Sequence, residues 1–153
     1  MNVKQLQRQR CYILVGLMTL WGLFAGDFVW SETSGKVERT FNAVVTDSQG
    51  GDAEIKNMIF YWEEKVSETA FVPHELREVP VKRGSATIRI RFDQIKQIDL
   101  KPSVDSALLH MVITLSNGKT GEFTFAVKGS FKGMSDFGDI EFPTTGLAKI
   151  VFK

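Results

Sequence analysis

Residues 107–128, ALLHMVITLSNGKTGEFTFAVK, decide the fold class. Apolar and polar side chains alternate with a period of two on both sides of Asn117-Gly118, which puts one strand face on a core and the other in water. The Asn-Gly pair favours a two-residue type I′ turn, because both central residues of that turn need a positive φ. The segment therefore predicts an antiparallel hairpin of strands 107–116 and 119–128.

The period of two recurs along the rest of the chain after Gly35, and no helical period is sustained there. Gly and Asp clusters at 47–52 and 129–139 predict turns or loops between strands. Together these signals predict a single all-β domain over 36–153, an antiparallel β-sandwich, with a small SH3-like barrel carrying extra strands as the alternative. Further strands are predicted at 37–46, 54–62, 86–92, 97–101, 138–142 and 148–153.

Two stretches of the chain share a hydrophobic pattern. Each has an Ile-x-Phe pair, beginning at Ile90 and at Ile140, and the second copy has two more residues before the next apolar position. The pattern predicts a strand, a 3₁₀ turn and a second strand in both places. Chance and internal duplication both account for one such match. The matching positions are Ile95, Ile98 and Leu100 in the first copy and Leu147, Ile150 and Phe152 in the second.

The chain from Met111 to its end resembles small SH3-like or Sm-like barrels. The resemblance rests on the hairpin ITLSNGKTGEFTF, on IEF and on the closing LAKIVF. It implies binding of peptides or nucleic acids, but none of the binding motifs of those families is present, so no site is carried over. The whole chain is similar to small exported bacterial β-domain proteins of unknown function, which favours export.

The N-terminal segment has the pattern of an export signal. Residues 1–10 are basic and residues 11–26 carry no charge, as in a secretory signal peptide. Cleavage after Ser31 makes the domain periplasmic or secreted. The alternative is an uncleaved hydrophobic helix through 11–30 that anchors the chain in the inner membrane, with the domain outside the cytoplasm. Residues 1–31 are thus predicted to be a signal peptide or a membrane anchor.

Composition excludes several classes of function. The chain carries 19 Lys+Arg and 18 Asp+Glu, a net charge of +1, which does not predict a nucleic-acid partner. The one cysteine, Cys11, lies in the export segment, so a cleaved chain would contain no disulfide or cysteine-ligated metal. No fingerprint of a hydrolase, a zinc protease or a nucleotide-binding loop occurs. We expect no enzyme, no catalytic residue and no cofactor.

The longest stretch without a clear period is 63–84, EEKVSETAFVPHELREVPVKRG. It predicts an irregular strap held extended by its two prolines, and long loops in compact domains are often functional. Its acids and imidazole are candidates for ligand or partner contact; the simpler interpretation is a solvated loop packed by Phe71, Val72 and Leu76. The candidates here are Glu63, Glu64, His74 and Glu75.

Two further groups are candidates for binding. Tyr61 and Trp62 could stack on a sugar, although core packing explains them more simply. Arg89 and Arg91 are predicted to point outward from one strand, where they could meet an anionic polymer or discourage strand-to-strand aggregation. Asp136 and Asp139 are candidates for a calcium site, because they lie in an oxygen-rich and glycine-rich stretch, although EF-hand spacing is absent.

These observations favour an exported, non-enzymatic binding module of the cell envelope whose partner is an envelope protein. One alternative is a β-domain that binds glycan or calcium. Another is a structural component of an envelope assembly or filament. The sequence leaves the oligomeric state open.

Overall fold

Antiparallel strands make up almost all the regular structure of the domain. The computed structural model describes residues 39–101 and 109–153, which contain eleven strands and two single-turn 3₁₀ helices. The elements are β1 (Ala43–Asp47), β2 (Asp52–Lys65), β3 (Phe71–Leu76), β4 (Glu78–Arg83), β5 (Ala86–Arg91), η1 (Phe92–Gln94), β6 (Ile95–Lys101), β7 (His110–Leu115), β8 (Thr120–Phe125), β9 (Ser130–Ser135), β10 (Gly138–Pro143), η2 (Thr144–Gly146) and β11 (Leu147–Phe152).

The export segment predicted over 1–31, with its hydrophobic helix and Cys11, lies outside the described residues, as do the first residues of the predicted strands 37–46 and 107–116. No helix in the described ranges is long and apolar enough to cross a membrane.

The strands form one open sheet. Its order is β10-β9-β2-β1-β11-β6-β7-β8-β4-β5, and β3 pairs with β2 off this path. Every pairing is antiparallel. The predicted all-β antiparallel class is therefore confirmed, whereas the strand order does not by itself show the two layers of a sandwich.

The hairpin predicted around Asn117-Gly118 is confirmed, with β7 and β8 in register from His110–Thr124 to Thr114–Thr120. The predicted type I′ turn is wrong. Of its two central residues only Gly118 has a positive φ, at 85°, and its N–H donates to the Leu115 carbonyl at 2.9 Å. Asn117 instead uses its side-chain oxygen to accept the Lys119 N–H at 3.0 Å. The connection is a type I turn followed by a glycine bulge.

The irregular strap predicted over 63–84 is also wrong, because this stretch forms the end of β2, then β3 and β4. The prolines that suggested a loop sit within strands: Pro73 pairs with Glu63, and Pro80 pairs with Arg89. β3 has β2 as its one partner strand among the described residues, so Pro73 can lie on its unpaired side. The predicted loop over 129–139 is likewise a hairpin, formed by β9 and β10.

The repeated strand, 3₁₀ turn and strand are confirmed as β5-η1-β6 and β10-η2-β11. The residues that precede the two 3₁₀ turns have nearly the same backbone angles: φ is −69° and ψ is 144° at Arg91, and φ is −62° and ψ is 142° at Pro143. The alignment of the turns makes Ile88 equivalent to Ile140. The two extra residues predicted in the second copy are therefore absent.

The repeat extends well beyond this pattern. The chain contains two motifs with the same succession of elements: β1, β2, β4, β5, η1 and β6 in the first, and β7, β8, β9, β10, η2 and β11 in the second. Each strand of the first motif has an equivalent in the second. Replacing every strand by its equivalent and reading the sheet from the other end gives the same strand order. Hydrogen bonds outside the ladders recur: Phe92 N–H donates to Arg77 O at 3.0 Å, and Thr144 N–H donates to Gly129 O at 3.1 Å. At the centre, the equivalent residues Ile98 and Ile150 face each other across β6 and β11.

The core is a cluster of phenylalanine rings. Phe60 on β2 stacks on Phe125 on β8, with centroids 6.1 Å apart and planes 8° apart, and meets Phe131 edge-on at 5.2 Å. In a flat sheet the five strand spacings between β2 and β8, at about 4.8 Å each, would separate these rings by about 24 Å. The contact shows that the sheet curls until distant strands share one core. Phe92 packs into the same cluster and is also buried.

Candidate functional site: the β2–β3 arm

The candidate residues that the structure gathers lie on the β2–β3 arm, residues 61–76. The arm begins just after a bend in β2, where the register against β9 shifts between Lys56 and Ile59. Asn57 has a φ of 52°, and the Asn42 side-chain oxygen accepts its N–H at 3.2 Å. Asn tolerates this left-handed conformation better than most residues. Beyond the bend, β2 pairs with β9 on one edge and with β3 on the other.

One face of the arm carries Trp62, Glu64 and His74. Trp62 and His74 are register partners, and their rings stack at 4.4 Å with an interplanar angle of 11°. His74 Nε2 lies 3.0 Å from Glu64 Oε2, which fixes the imidazole from its other side. Trp62 also packs against the core, and its buried Nε1–H has no hydrogen-bond partner within the described ranges. The stack and the hydrogen bond together connect β2 to β3 on this face.

The opposite face carries Tyr61, Glu63 and Glu75. Tyr61 faces Glu75 across the ladder and donates its phenolic hydrogen to Glu63 Oε1 at 2.5 Å. This hydrogen bond to a carboxylate, followed by desolvation and the charges of nearby acids, raises the pKa of Tyr61 above its usual value. The Lys132 ammonium lies 3.4 Å from the ring centroid, in cation–π contact. His74 and Glu75 therefore lie on opposite faces of the arm.

The tip of the arm exposes three apolar side chains, two of which, Phe71 and Val72, were predicted to pack the loop. Val66, Phe71 and Val72 are 57%, 54% and 40% exposed. The tip is nonetheless held by backbone geometry, because Val66 N–H donates to Ala70 O at 3.0 Å. Only Leu76 of the three predicted packing residues lies against the core. Phe71 and Val72 are consecutive, lie on opposite faces of β3 and are both exposed. The alternation of apolar and polar residues that marks a half-buried strand is therefore absent here.

A groove of about 680 Å³ runs beside the second face of the arm, across β2, β9 and β10. Its lining is mainly polar and carries both signs of charge. It includes Asn57, Glu75, Arg77, Lys132, Asp139 and Glu141. Such a surface offers several hydrogen-bond donors and acceptors to a polar ligand.

Arg89 and Arg91 lie on β5, at one end of the strand order and outside the arm. Their side chains are 71% and 63% exposed, as the predicted outward orientation requires. Arg89 forms an ion pair with Glu78 at 3.6 Å, and Arg91 contacts Asp93. Exposed pairs of this kind contribute little to stability and can be exchanged for other partners.

The two aspartates considered for calcium do not form a cation site with other acids. Asp136, in the turn between β9 and β10, accepts a hydrogen bond from Lys56 Nζ at 2.7 Å. That hydrogen bond and the lysine charge hold the pKa of the Asp136 carboxyl below its usual value. Asp139 lies on β10. Within residues 39–101 and 109–153, no three His, Cys, Asp or Glu side chains are grouped to hold a metal ion.

No protein-family model matches the chain, and no curated protein matches it.

Proposed function

We propose that the protein is an exported, non-enzymatic interaction module of the cell envelope, and that the β2–β3 arm docks onto another envelope protein. The observation that carries this proposal is the exposure of Val66, Phe71 and Val72 at the tip of an ordered hairpin. Exposed large apolar side chains close together along one hairpin are typical of contact sites. The arm is also the part of the first motif that the second motif lacks, so the repeated framework does not need it.

The charges of the arm indicate what its partner presents. Four acids lie between residues 61 and 76, namely Glu63, Glu64, Glu68 and Glu75, against the single base Lys65. An apolar tip above an acidic stem complements an apolar pocket ringed by lysine or arginine. The partner would therefore bind more weakly at high salt, because screening reduces the attraction between exposed charges.

The stacked pair at the base of the arm supports the same interpretation. Trp62 and His74 fix the two strands against each other before any partner arrives. A hairpin that is already ordered loses less conformational entropy on binding than a flexible loop does. The β2–β3 arm therefore suits a specific contact.

Substitution at the tip tests this function. Phe71→Glu places a charge at the exposed tip of the arm, and we expect it to abolish co-purification of the envelope partner at low salt. The matched control is Gln49→Glu, because Gln49 is exposed in the turn between β1 and β2 and lies outside the arm. If both variants are folded by circular dichroism and recover the partner equally well, the proposal is wrong.

Glycan binding is a second candidate, and the groove of about 680 Å³ favours it. Polar side chains that line a groove next to an aromatic residue suit a sugar, although Lys132 covers one face of Tyr61. Calorimetric titration with fragments of envelope glycans tests this candidate. Heat of binding that Glu75→Gln removes would support it, and the absence of any heat would exclude those fragments.

We also propose a two-layered architecture and an extracytoplasmic location for the domain. The packing of Phe60 onto Phe125 supports a curled sheet that forms two layers, as in a sandwich or a small barrel. The basic and apolar pattern of residues 1–26 supports export, with residues 1–31 as a signal peptide or membrane anchor.

A further inference from the structure

The two outermost strands of the sheet have opposite charge. β5 and β10 end the strand order, and they are equivalent in the two motifs. The outward side chains of β5 include Arg89 and Arg91, and the equivalent strand β10 presents Asp139 and Glu141. The repeat thus places a basic strand at one edge and an acidic strand at the other.

Among residues 39–101 and 109–153, β5 pairs with β4 alone, so its outer edge has no partner strand there. Hydrogen-bonded positions alternate along an antiparallel strand. Because Phe92 N–H donates to Arg77 O, the even-numbered residues of β5 direct their backbone groups toward β4. Thr87, Arg89 and Arg91 therefore direct theirs toward the unpaired edge.

The same argument holds for β10. Thr144 N–H donates to Gly129 O, so the even-numbered residues of β10 face β9. Asp139, Glu141 and Pro143 face the unpaired edge, where Pro143 offers only a carbonyl. Within the described part of the chain, therefore, the charged residues of both edges are among those whose backbone groups have no partner strand.

We propose that β5 of one copy of the chain pairs antiparallel with β10 of a second copy, so that the protein associates head to tail. In one register Arg89 faces Glu141 of the second copy and Arg91 faces its Asp139. Thr87 then faces Pro143, and its N–H meets that carbonyl. This register places every free N–H of the three facing pairs opposite a carbonyl.

The apolar face of the edges agrees with this register. Ile90 then faces Ile140 of the second copy, and Ile88 faces its Phe142. Ile88 is 38% exposed on its own, and Ile140 and Phe142 are half-buried. Cross-strand apolar pairs stabilise a sheet, so the joint would continue both the polar and the apolar side of the sheet.

Charge also selects head-to-tail pairing over the two symmetric alternatives. Pairing β5 with β5 of a second copy brings arginines together, and pairing β10 with β10 brings carboxylates together. Like charges across a ladder are destabilising. A heterologous joint leaves one free edge on each end, so it forms a ring if the rotation closes and a filament if it does not. This surface does not include the β2–β3 arm.

Sedimentation velocity with charge-reversed variants of the whole chain tests the proposal, in detergent micelles if the N-terminal segment is retained. Wild-type chain is expected to form oligomers that grow with concentration and dissociate as salt is raised. The variants Arg89→Glu/Arg91→Glu and Asp139→Lys/Glu141→Lys are each expected to associate at least about tenfold more weakly.

The decisive sample is an equimolar mixture of the two variants. Each reversed edge meets a complementary edge on the other variant, so the mixture is expected to recover association. The control Lys119→Glu/Lys128→Glu changes the net charge as much as the arginine variant does and lies on neither edge. This control is expected to associate like wild type. Phe71→Glu is also expected to associate like wild type, so the self-association of the edges can be tested independently of partner binding by the arm.

Two results would overturn the proposal. One is a wild-type chain that stays monomeric at its highest soluble concentration in low salt, which would make the charges a protection against aggregation. The other is a mixture that fails to associate although both variants are folded. Because Glu141 accepts a hydrogen bond from Ser130 Oγ, the single changes Arg91→Glu and Asp139→Lys serve as a second pair if the double variant unfolds.

Discussion

Gly133 on β9 is a position where adding one methyl group should destabilise the fold. A Cβ built there lies 2.3 Å from Ile55 Cγ2 and 2.7 Å from the Lys56 carbonyl oxygen. Ordinary carbon contacts are about 3.5–4.0 Å, so the new atom is more than about 1 Å too close. The Ile55 methyl group can move slightly, but the carbonyl belongs to the bent part of β2 and cannot move without distorting the ladder. The equivalent residue in the first motif is Val81, whose larger side chain is buried.

We expect Gly133→Ala to lower the free energy of unfolding by about 2–3 kcal/mol, the upper part of the range for overpacked cores. That is a large fraction of the roughly 5–15 kcal/mol that stabilises a domain. Urea unfolding followed by circular dichroism measures it. Gly146→Ala is the control, because the closest atom to its new Cβ is Pro143 Cγ at 4.0 Å. A Gly133→Ala protein as stable as this control would refute the close approach of β9 to the bend in β2.

Two other predictions concern the described domain. In an NMR titration Asp136 should protonate below its ordinary pKa of 3.8, because Lys56 stabilises the carboxylate, and Lys56→Gln should raise the titration midpoint. The stability that this ion pair contributes is present above the ordinary pKa and is lost as pH falls through the folded-state pKa. A midpoint that Lys56→Gln leaves unchanged would rule out the ion pair in solution. Ile98→Val and Ile150→Val should each cost about 0.5–1.5 kcal/mol in urea unfolding, since both are fully buried. Because the two residues face each other, their effects should not add in the double variant, and strict additivity would contradict the pairing of β6 with β11.

The sequence predicted the elements whose signal is local. The hairpin of β7 and β8 follows from alternation on both sides of Asn117-Gly118, and the two 3₁₀ turns follow from apolar spacing. Residues 46–55 and 114–123 also share Thr, Ser, Gly and Glu at the same places, which marks the two motifs in the sequence and was missed. The β2–β3 arm, which only the first motif has, changes the spacing between the two copies, so no single alignment of the chain on itself covers both this match and the two 3₁₀ turns.

The remaining elements depend on contacts between distant strands. Pro73 and Pro80 argue for a loop by their local preference, yet pairing with β2 and β5 places both in strands. Likewise, the acids and the imidazole of the arm were candidates by residue type alone. Their division between two faces depends on the register of β2 against β3, which the sequence of either strand does not determine.

The contact made by the tip of the β2–β3 arm is the central functional claim, and photo-crosslinking in the source cells measures it most directly. A photoreactive amino acid at position 71 is compared with the same residue at position 49, which is exposed in the turn between β1 and β2. We predict an adduct of one defined mass from position 71, containing a protein other than this chain, and no such adduct from position 49. Equal adducts from both positions, or none from position 71, would contradict a role for the arm in binding.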